Sequence, residues 1–261
     1  MNLDLKNKCA LICGSTQGIG KAAAIEIALL GANVTLIARD EEKLKATVKE
    51  LDSSKGQTHN YIVADFSKAE DLKKKIEEHV TKNEVHILVN NTGGPKGGPI
   101  IDANIEEFRI TFNQHLICNH ILAQAVVPSM KKSGYGRIIN IISTSVKQPL
   151  KGLGVSNTIR AAVANWSKTL SMELAPFNIT VNNVLPGMTN TKRIADLMSA
   201  KAKAANVTVD DIKKQMLAEI PMGRLAEAKE VAAAVAFLAS PAASYISGIN
   251  IPVDGGRTGN L

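Results

Sequence analysis

Cys9-Ala10-Leu11-Ile12-Cys13-Gly14-Ser15-Thr16-Gln17-Gly18-Ile19-Gly20 is the stretch on which the fold turns. Its first five residues form an unbroken apolar run, too short for a helix and bounded by glycine, which reads as a buried strand. From about Ile19 to Leu30 the apolar residues recur at helical spacing. Between strand and helix lie three glycines, with three residues separating the first two. Glycine lets the chain turn tightly, bring backbone N–H groups up to a pyrophosphate and pack the helix close to the strand. A glycine turn alone is also compatible with an ordinary loop; its place directly after a buried strand makes it a dinucleotide signal. Gly14, Ser15, Thr16, Gln17, Gly18, Ile19 and Gly20 are therefore the expected contacts at that end of a cofactor.

Outward from this unit the pattern repeats. Strands are expected over Asn33–Ala38, Asn60–Val63, His86–Val89, Arg137–Ile142, Thr180–Val184 and Asn250–Val253. Helices are expected over Glu41–Leu51, Ala69–Thr81 and Val231–Leu238. Strands alternating with helices imply right-handed βαβ units and a doubly wound parallel sheet of about seven strands, with ligands at the carboxyl ends of the strands. No internal repeat, low-complexity tract or linker interrupts the chain, so residues 1–261 read as one domain. The lysine- and alanine-rich segment 191–221, between the sixth and seventh strands, is a candidate substrate lid.

The strand ends suggest which cofactor is bound. Arg39 closes the second strand, where a dinucleotide fold meets the adenosine ribose. An acidic residue there selects NAD, whereas arginine pairs with a 2′-phosphate, so NADP is expected over NAD, with Asp40 next door as the dissenting residue. Asp65, with Phe66 beside it, follows the third strand and is placed to accept a hydrogen bond from the adenine amino group. Asn90-Asn91-Thr92-Gly93-Gly94 follows the fourth, where small and amide residues let the backbone pass close to the cofactor.

Composition narrows the function classes. The formal charge is +7, but the lysines are scattered and no aromatic residues interleave with them, which argues against nucleic acid. Cys9, Cys13 and Cys118 make an odd number without ligand spacing, so neither a disulfide framework nor a metal site is expected. With no signal-peptide pattern and no membrane-length apolar run, the expected compartment is the cytoplasm.

Taken together these motifs resemble the short-chain dehydrogenase/reductase family, over essentially the whole chain. Asn90–Gly93 resembles its Asn-Asn-Ala-Gly motif, with Thr92 in place of alanine. Asn182-Asn183-Val184-Leu185-Pro186-Gly187 resembles its Asn-x-x-x-Pro-Gly turn after the sixth strand. Pro221-Met222-Gly223-Arg224-Leu225 and Val253-Asp254-Gly255-Gly256 are similar to the tail of the 3-oxoacyl-carrier-protein reductase group. The resemblance implies a Rossmann-type fold, an NAD(P)-dependent redox reaction on a carbonyl or alcohol, cofactor contacts at Pro186, Gly187 and Thr189, and a homotetramer.

The family's catalytic residues carry over unevenly. Its carbonyl-polarising serine falls on Ser143, but its tyrosine acid falls on Ser156 and its lysine on Arg160. Its helix asparagine falls on His115, with Asn113 two residues away. A serine hydroxyl is a far weaker acid than a phenol, and arginine stays charged at any working pH. Arg160 can hold the nicotinamide ribose but cannot donate the proton. Two repairs are open: His115, titrating near neutrality, donates the proton, or Ser143, Ser156 and Arg160 stabilise the oxyanion while water donates. Two functions stay open as well. One is an NADP-preferring reductase with an atypical site acting on a small carbonyl or alcohol. The other is a catalytically silent dinucleotide-binding sensor or partner subunit.

Overall fold

The alternation of side chains along the first strand, β1 (Cys9–Cys13), divides the interior in two. Ala10 and Ile12 enter one core, whereas Leu11 and Cys13 enter the other, on the opposite face of the sheet. Leu11 and Ile12 are wholly buried, each contributing roughly 1.5–3 kcal/mol. The computed structural model describes residues 1–260.

Around β1 the strands β2 (Asn33–Ala38), β3 (Asn60–Val63), β4 (Ile87–Asn90), β5 (Gly136–Ile141), β6 (Ile179–Pro186) and β7 (Asn250–Val253) complete a seven-stranded sheet, ordered β3-β2-β1-β4-β5-β6-β7. Every pairing is parallel. Four strands coincide with the sequence expectation and the others shift by one or two residues, the usual fraying of boundaries. The chain starts in β1, winds outward to β3 and returns to β4 on the other side. The switch point beside β1 is where such sheets bind ligands.

Helices cover both faces. α1 (Gly18–Leu29) and α9 (Ala228–Ala239) share one core, where Ala23, Ala24 and Ala28 meet Ala232 and Val235. Their small side chains allow close approach of the helix axes. α2 (Glu41–Lys49) covers the edge of the same layer through Leu44. α3 (Ala69–Val80) covers the other face with the helix formed by α4 (Ile105–Phe112) and α5 (Cys118–Ser133). Between α4 and α5 the helix widens into a single π turn, Asn113–Ile117. α6 (Gly154–Leu174) runs alongside α4 and β6.

A polar ladder crosses the apolar sheet. Asn90, Asn140, Asn183 and Asn250 stand in register on β4, β5, β6 and β7. Asn90 Nδ2 donates to Asn140 Oδ1 at 2.8 Å, Asn140 Nδ2 to Asn183 Oδ1 at 2.9 Å, and Asn183 Nδ2 to Asn250 Oδ1 at 2.8 Å. Each amide nitrogen donates to the next amide oxygen, which keeps these buried groups paired, while Asn90 Oδ1 at the start of the ladder has no hydrogen-bond partner.

Segment 191–221 folds as a helical hairpin, α7 (Lys192–Ala205) and α8 (Val209–Ala218), around its own small core of Met198, Ala202, Ile212 and Met216. Thr208 and Asp211 form a reciprocal capping box at the start of α8. No helix among the described residues is long and apolar enough to cross a membrane.

Candidate active site

A cleft of about 1280 Å³ runs along the carboxyl ends of the strands. Its floor begins at the glycine turn. Gly14 has φ +58°, and a Cβ there would lie 2.5 Å from the carbonyl oxygen of Asn91; one on Gly20 would lie 2.3 Å from that of Gly14. Neither position has room for a side chain, so both glycines are sterically required. Asn91 Nδ2 fastens the turn by donating to the carbonyls of Cys13 at 3.3 Å and Gly14 at 3.2 Å. At the N-terminus of α1 the side chain of Gln17 makes no capping hydrogen bond, leaving the free N–H groups and positive dipole end that suit an anion.

At the far end, Arg39 is exposed beside Gly14, Ala38 and Asp65 on the cleft wall. Asp40 does not compete for a ribose there. Its Oδ1 accepts from the Lys43 N–H at 3.1 Å as the cap of α2, and its other oxygen pairs with Lys43 Nζ at 2.8 Å. Asp65 is anchored by the Ser67 N–H at 2.9 Å. Hydrogen bonds from Ser67, with Arg39 nearby, hold its carboxyl below the usual range.

The opposite end brings together residues from three elements. Ser143 caps a short 3₁₀ turn after β5, its Oγ accepting from the Ser145 N–H at 3.1 Å. Ser156 and Arg160, one helical turn apart on α6, share a face and both line the cleft. Arg160 is only 8% exposed, and its Nη1 donates to the Ile141 carbonyl at 2.8 Å. Burial, with Arg193 adding repulsion, lowers its pKa to about 10, so it remains charged at neutral pH.

His115 departs from the sequence expectation. The π turn carries it inward to 2% exposure, with Nδ1 2.6 Å from the Thr92 hydroxyl and Nε2 buried without a partner. Burial first, then the nearby Arg160 charge, pushes its pKa down to about 2. The expected titration near neutrality is therefore corrected: the imidazole is neutral at any working pH. It stands behind Thr92 and does not line the cleft.

Of the other expected site residues, Thr16, Gln17, Gly18, Ile19, Phe66, Thr92, Gly93, Pro186, Gly187 and Thr189 border the cleft. Ser15 does not; it is wholly buried and donates to the Ile37 carbonyl at 3.3 Å. Gly20 also lies off the cleft, packed against Gly14. The sequence reading missed Gln114 and Lys151 on the cleft wall, and Arg193, which α7 projects onto the loop after β4, where it donates to the Pro95 carbonyl. No motif marks Arg193; only the folding of the hairpin over the cleft brings it there. The three cysteines are free, and no metal-binding cluster occurs among the described residues.

These features fit a phosphorylated dinucleotide: a glycine cradle, an uncapped helix N-terminus, an arginine free of the neighbouring carboxylate, and open space over Gly93. Comparison with known proteins agrees. The family model described as enoyl-(acyl carrier protein) reductase matches residues 14–258. The NADPH-dependent reductase BacG of Bacillus subtilis (strain 168) is 31% identical over 256 residues, covering 97% of this chain and 98% of its own. A 3-oxoacyl-[acyl-carrier-protein] reductase, FabG of Staphylococcus epidermidis, is 35% identical, covering 96% and 98%. Among solved structures, L-sorbose reductase from Gluconobacter frateurii, complexed with NADPH and L-sorbose, superposes with a TM-score of 0.93 at 30% identity and complete coverage of both chains.

Proposed function

The chain belongs to the short-chain dehydrogenase/reductase family, and on that premise we propose that it is an NADP-dependent oxidoreductase that reduces a small carbonyl compound to an alcohol at an atypical site. The observation that carries the reading is one continuous cleft running from Arg39 and the glycine turn to Ser143, Ser156 and Arg160. Two NADPH-associated proteins, the reductase BacG and L-sorbose reductase, support the choice of cofactor.

Gly14, Thr16, Gln17, Gly18, Ile19 and the α1 N-terminus would hold the pyrophosphate, Arg39 the 2′-phosphate, and Arg160 the nicotinamide ribose. Asp65, Phe66, Asn91 and Gly93 border the adenosine half, and Pro186, Gly187 and Thr189 the nicotinamide. NADPH bound there would supply the hydride that reduces the carbonyl carbon. The hydroxyls of Ser143 and Ser156 donate hydrogen bonds to the carbonyl oxygen, and the fixed charge of Arg160 stabilises the negative charge that develops there. A water in the cleft gives that oxygen its proton, because neither serine is acidic enough and His115 carries no proton to spare at working pH. His115 acts as a neutral strut that fixes Thr92. The same lack of a poised acid favours a second reading, a dinucleotide-binding sensor without turnover. The hairpin 191–221 serves as a lid, the assembly is a homo-oligomer, and the compartment is the cytoplasm.

Fluorescence titration with NADPH and NADH tests the cofactor half. Wild type binds NADPH more tightly, and Arg39→Ala removes that preference, a loss of roughly 10- to 100-fold for a charge-assisted phosphate contact. Equal binding of both cofactors by wild type would strip Arg39 of its role. NADPH oxidation with a carbonyl panel then separates the two readings, and Ser143→Ala abolishes turnover in the first.

A further inference from the structure

Two arginines converge at the substrate end of the cleft without an acidic partner. A Cβ built on Gly94 would lie 3.4 Å from Arg193 Nη2 and 3.8 Å from Arg160 Nη2, so an atom placed over this glycine would be in contact with both guanidinium groups. Arg160 is more than nine-tenths buried, and its one hydrogen bond, to the Ile141 carbonyl, occupies a single donor of the guanidinium's five. Arg193 is exposed at the cleft mouth, and its one recorded hydrogen bond is to the Pro95 carbonyl. Among the described residues neither arginine forms a salt bridge. Of the acids on the cleft wall, Glu219 is paired with Arg257, Asp65 is anchored by Ser67 at the other end, and Asp196 lies within ion-pair distance of neither arginine. Folding two cations together without a counter-charge is unfavourable unless an anion occupies the space between them.

We propose that the substrate carries an anionic group, a carboxylate or a phosphate, received over Gly94 between the guanidinium groups of Arg193 and Arg160. This rests on the reading of the cleft as an oxidoreductase site and names the class of its substrate. Ser156 lies four residues before Arg160 on the same helix, a rise of about 6 Å, and the Arg160 guanidinium reaches the carbonyl of Ile141, two residues before Ser143. A group held at the arginines therefore stands only a few bonds from a carbonyl held at Ser156 and Ser143. That spacing selects a short oxo acid, or a short phosphorylated carbonyl compound, over an extended chain. Arg193 is the selective element, because it comes from the hairpin: the incoming anion replaces the Pro95 carbonyl as its partner. Arg160 has donors enough to serve both the anion and the cofactor ribose.

The test is calorimetric titration of the NADP⁺-loaded protein with two matched pairs, levulinate against methyl levulinate and dihydroxyacetone phosphate against dihydroxyacetone. The anionic member of at least one pair binds roughly 10- to 100-fold more tightly than its neutral partner. Arg193→Gln removes that difference, and Arg193→Lys retains part of it. The preferred pair identifies carboxylate or phosphate as the source. Equal or undetectable binding of acid and neutral forms, or a preference that survives Arg193→Gln, overturns the proposal. NADPH affinity, followed by fluorescence, is unchanged in Arg193→Gln; a loss there assigns Arg193 to the cofactor and likewise overturns it. Should wild type fail to bind NADPH, the oxidoreductase reading falls, and the matched pairs repeated on the cofactor-free protein then decide the anion site alone.

Discussion

At pH 7 the imidazole of His115 is uncharged, because protonating it would place a cation in a dry space beside Arg160. The unfolded chain binds that proton near pH 6.5 and the folded chain near pH 2. Between those values the unfolded state holds one more proton, so the contribution of this residue to stability falls as pH falls. The slope is about 1.4 kcal/mol per pH unit. Urea unfolding at pH 7 and pH 5 should therefore show a stability loss smaller by about 2 kcal/mol in His115→Gln than in wild type. An identical loss in both proteins would mean that His115 titrates normally. Read from the sequence, His115 is one of two open proton sources, water being the other. Its neutrality comes from the π turn that carries it inward and from a charge contributed by another helix, neither of which local sequence specifies.

Among the elements, the strands were the most legible, because β1 and β4 are short apolar runs and β2 is bounded by turn residues. Their polar content carried no such message. An asparagine in a strand reads as an unfavourable residue, yet Asn140 is wholly buried and joins β4 to β6. Removing it strands a donor on Asn90 and an acceptor on Asn183, each costing roughly 1–3 kcal/mol. Asn140→Ala should lower unfolding free energy by about 2–5 kcal/mol with an unchanged denaturant slope, whereas Asn250→Ala, at the sheet edge, costs less. A loss below 1 kcal/mol, on the order of a single neutral hydrogen bond, would show that the ladder relaxes around the gap.

Over the whole molecule, the helices around α4 and α6 leave apolar side chains in water: Ile105 is 65% exposed, Met172 63% and Phe112 40%. Water disfavours that surface, and burial against a second copy would recover it. Sedimentation of the purified protein should give a mass well above the 27.8 kDa of one chain. Ile105→Glu combined with Phe112→Glu should shift it toward the single-chain value while circular dichroism stays unchanged. A single-chain mass for wild type would remove the homo-oligomer from the proposed function.

What the sequence determined by itself was whatever depends on neighbours along the chain. Hydrophobic period placed the strands and the flanking helices, a glycine turn after a strand marked the cofactor end, and motif order carried the family resemblance. The tertiary structure alone decided what depends on residues distant in the chain. Asp40 turns away to cap α2, Ser15 and Gly20 serve the turn from behind, and His115 is neutral. Arg193, far along the chain from Gly94 and Arg160, comes to rest beside both. Spacing along a chain reports which face of an element a residue occupies, whereas charge state and site membership depend on what the other elements bring within a few ångströms.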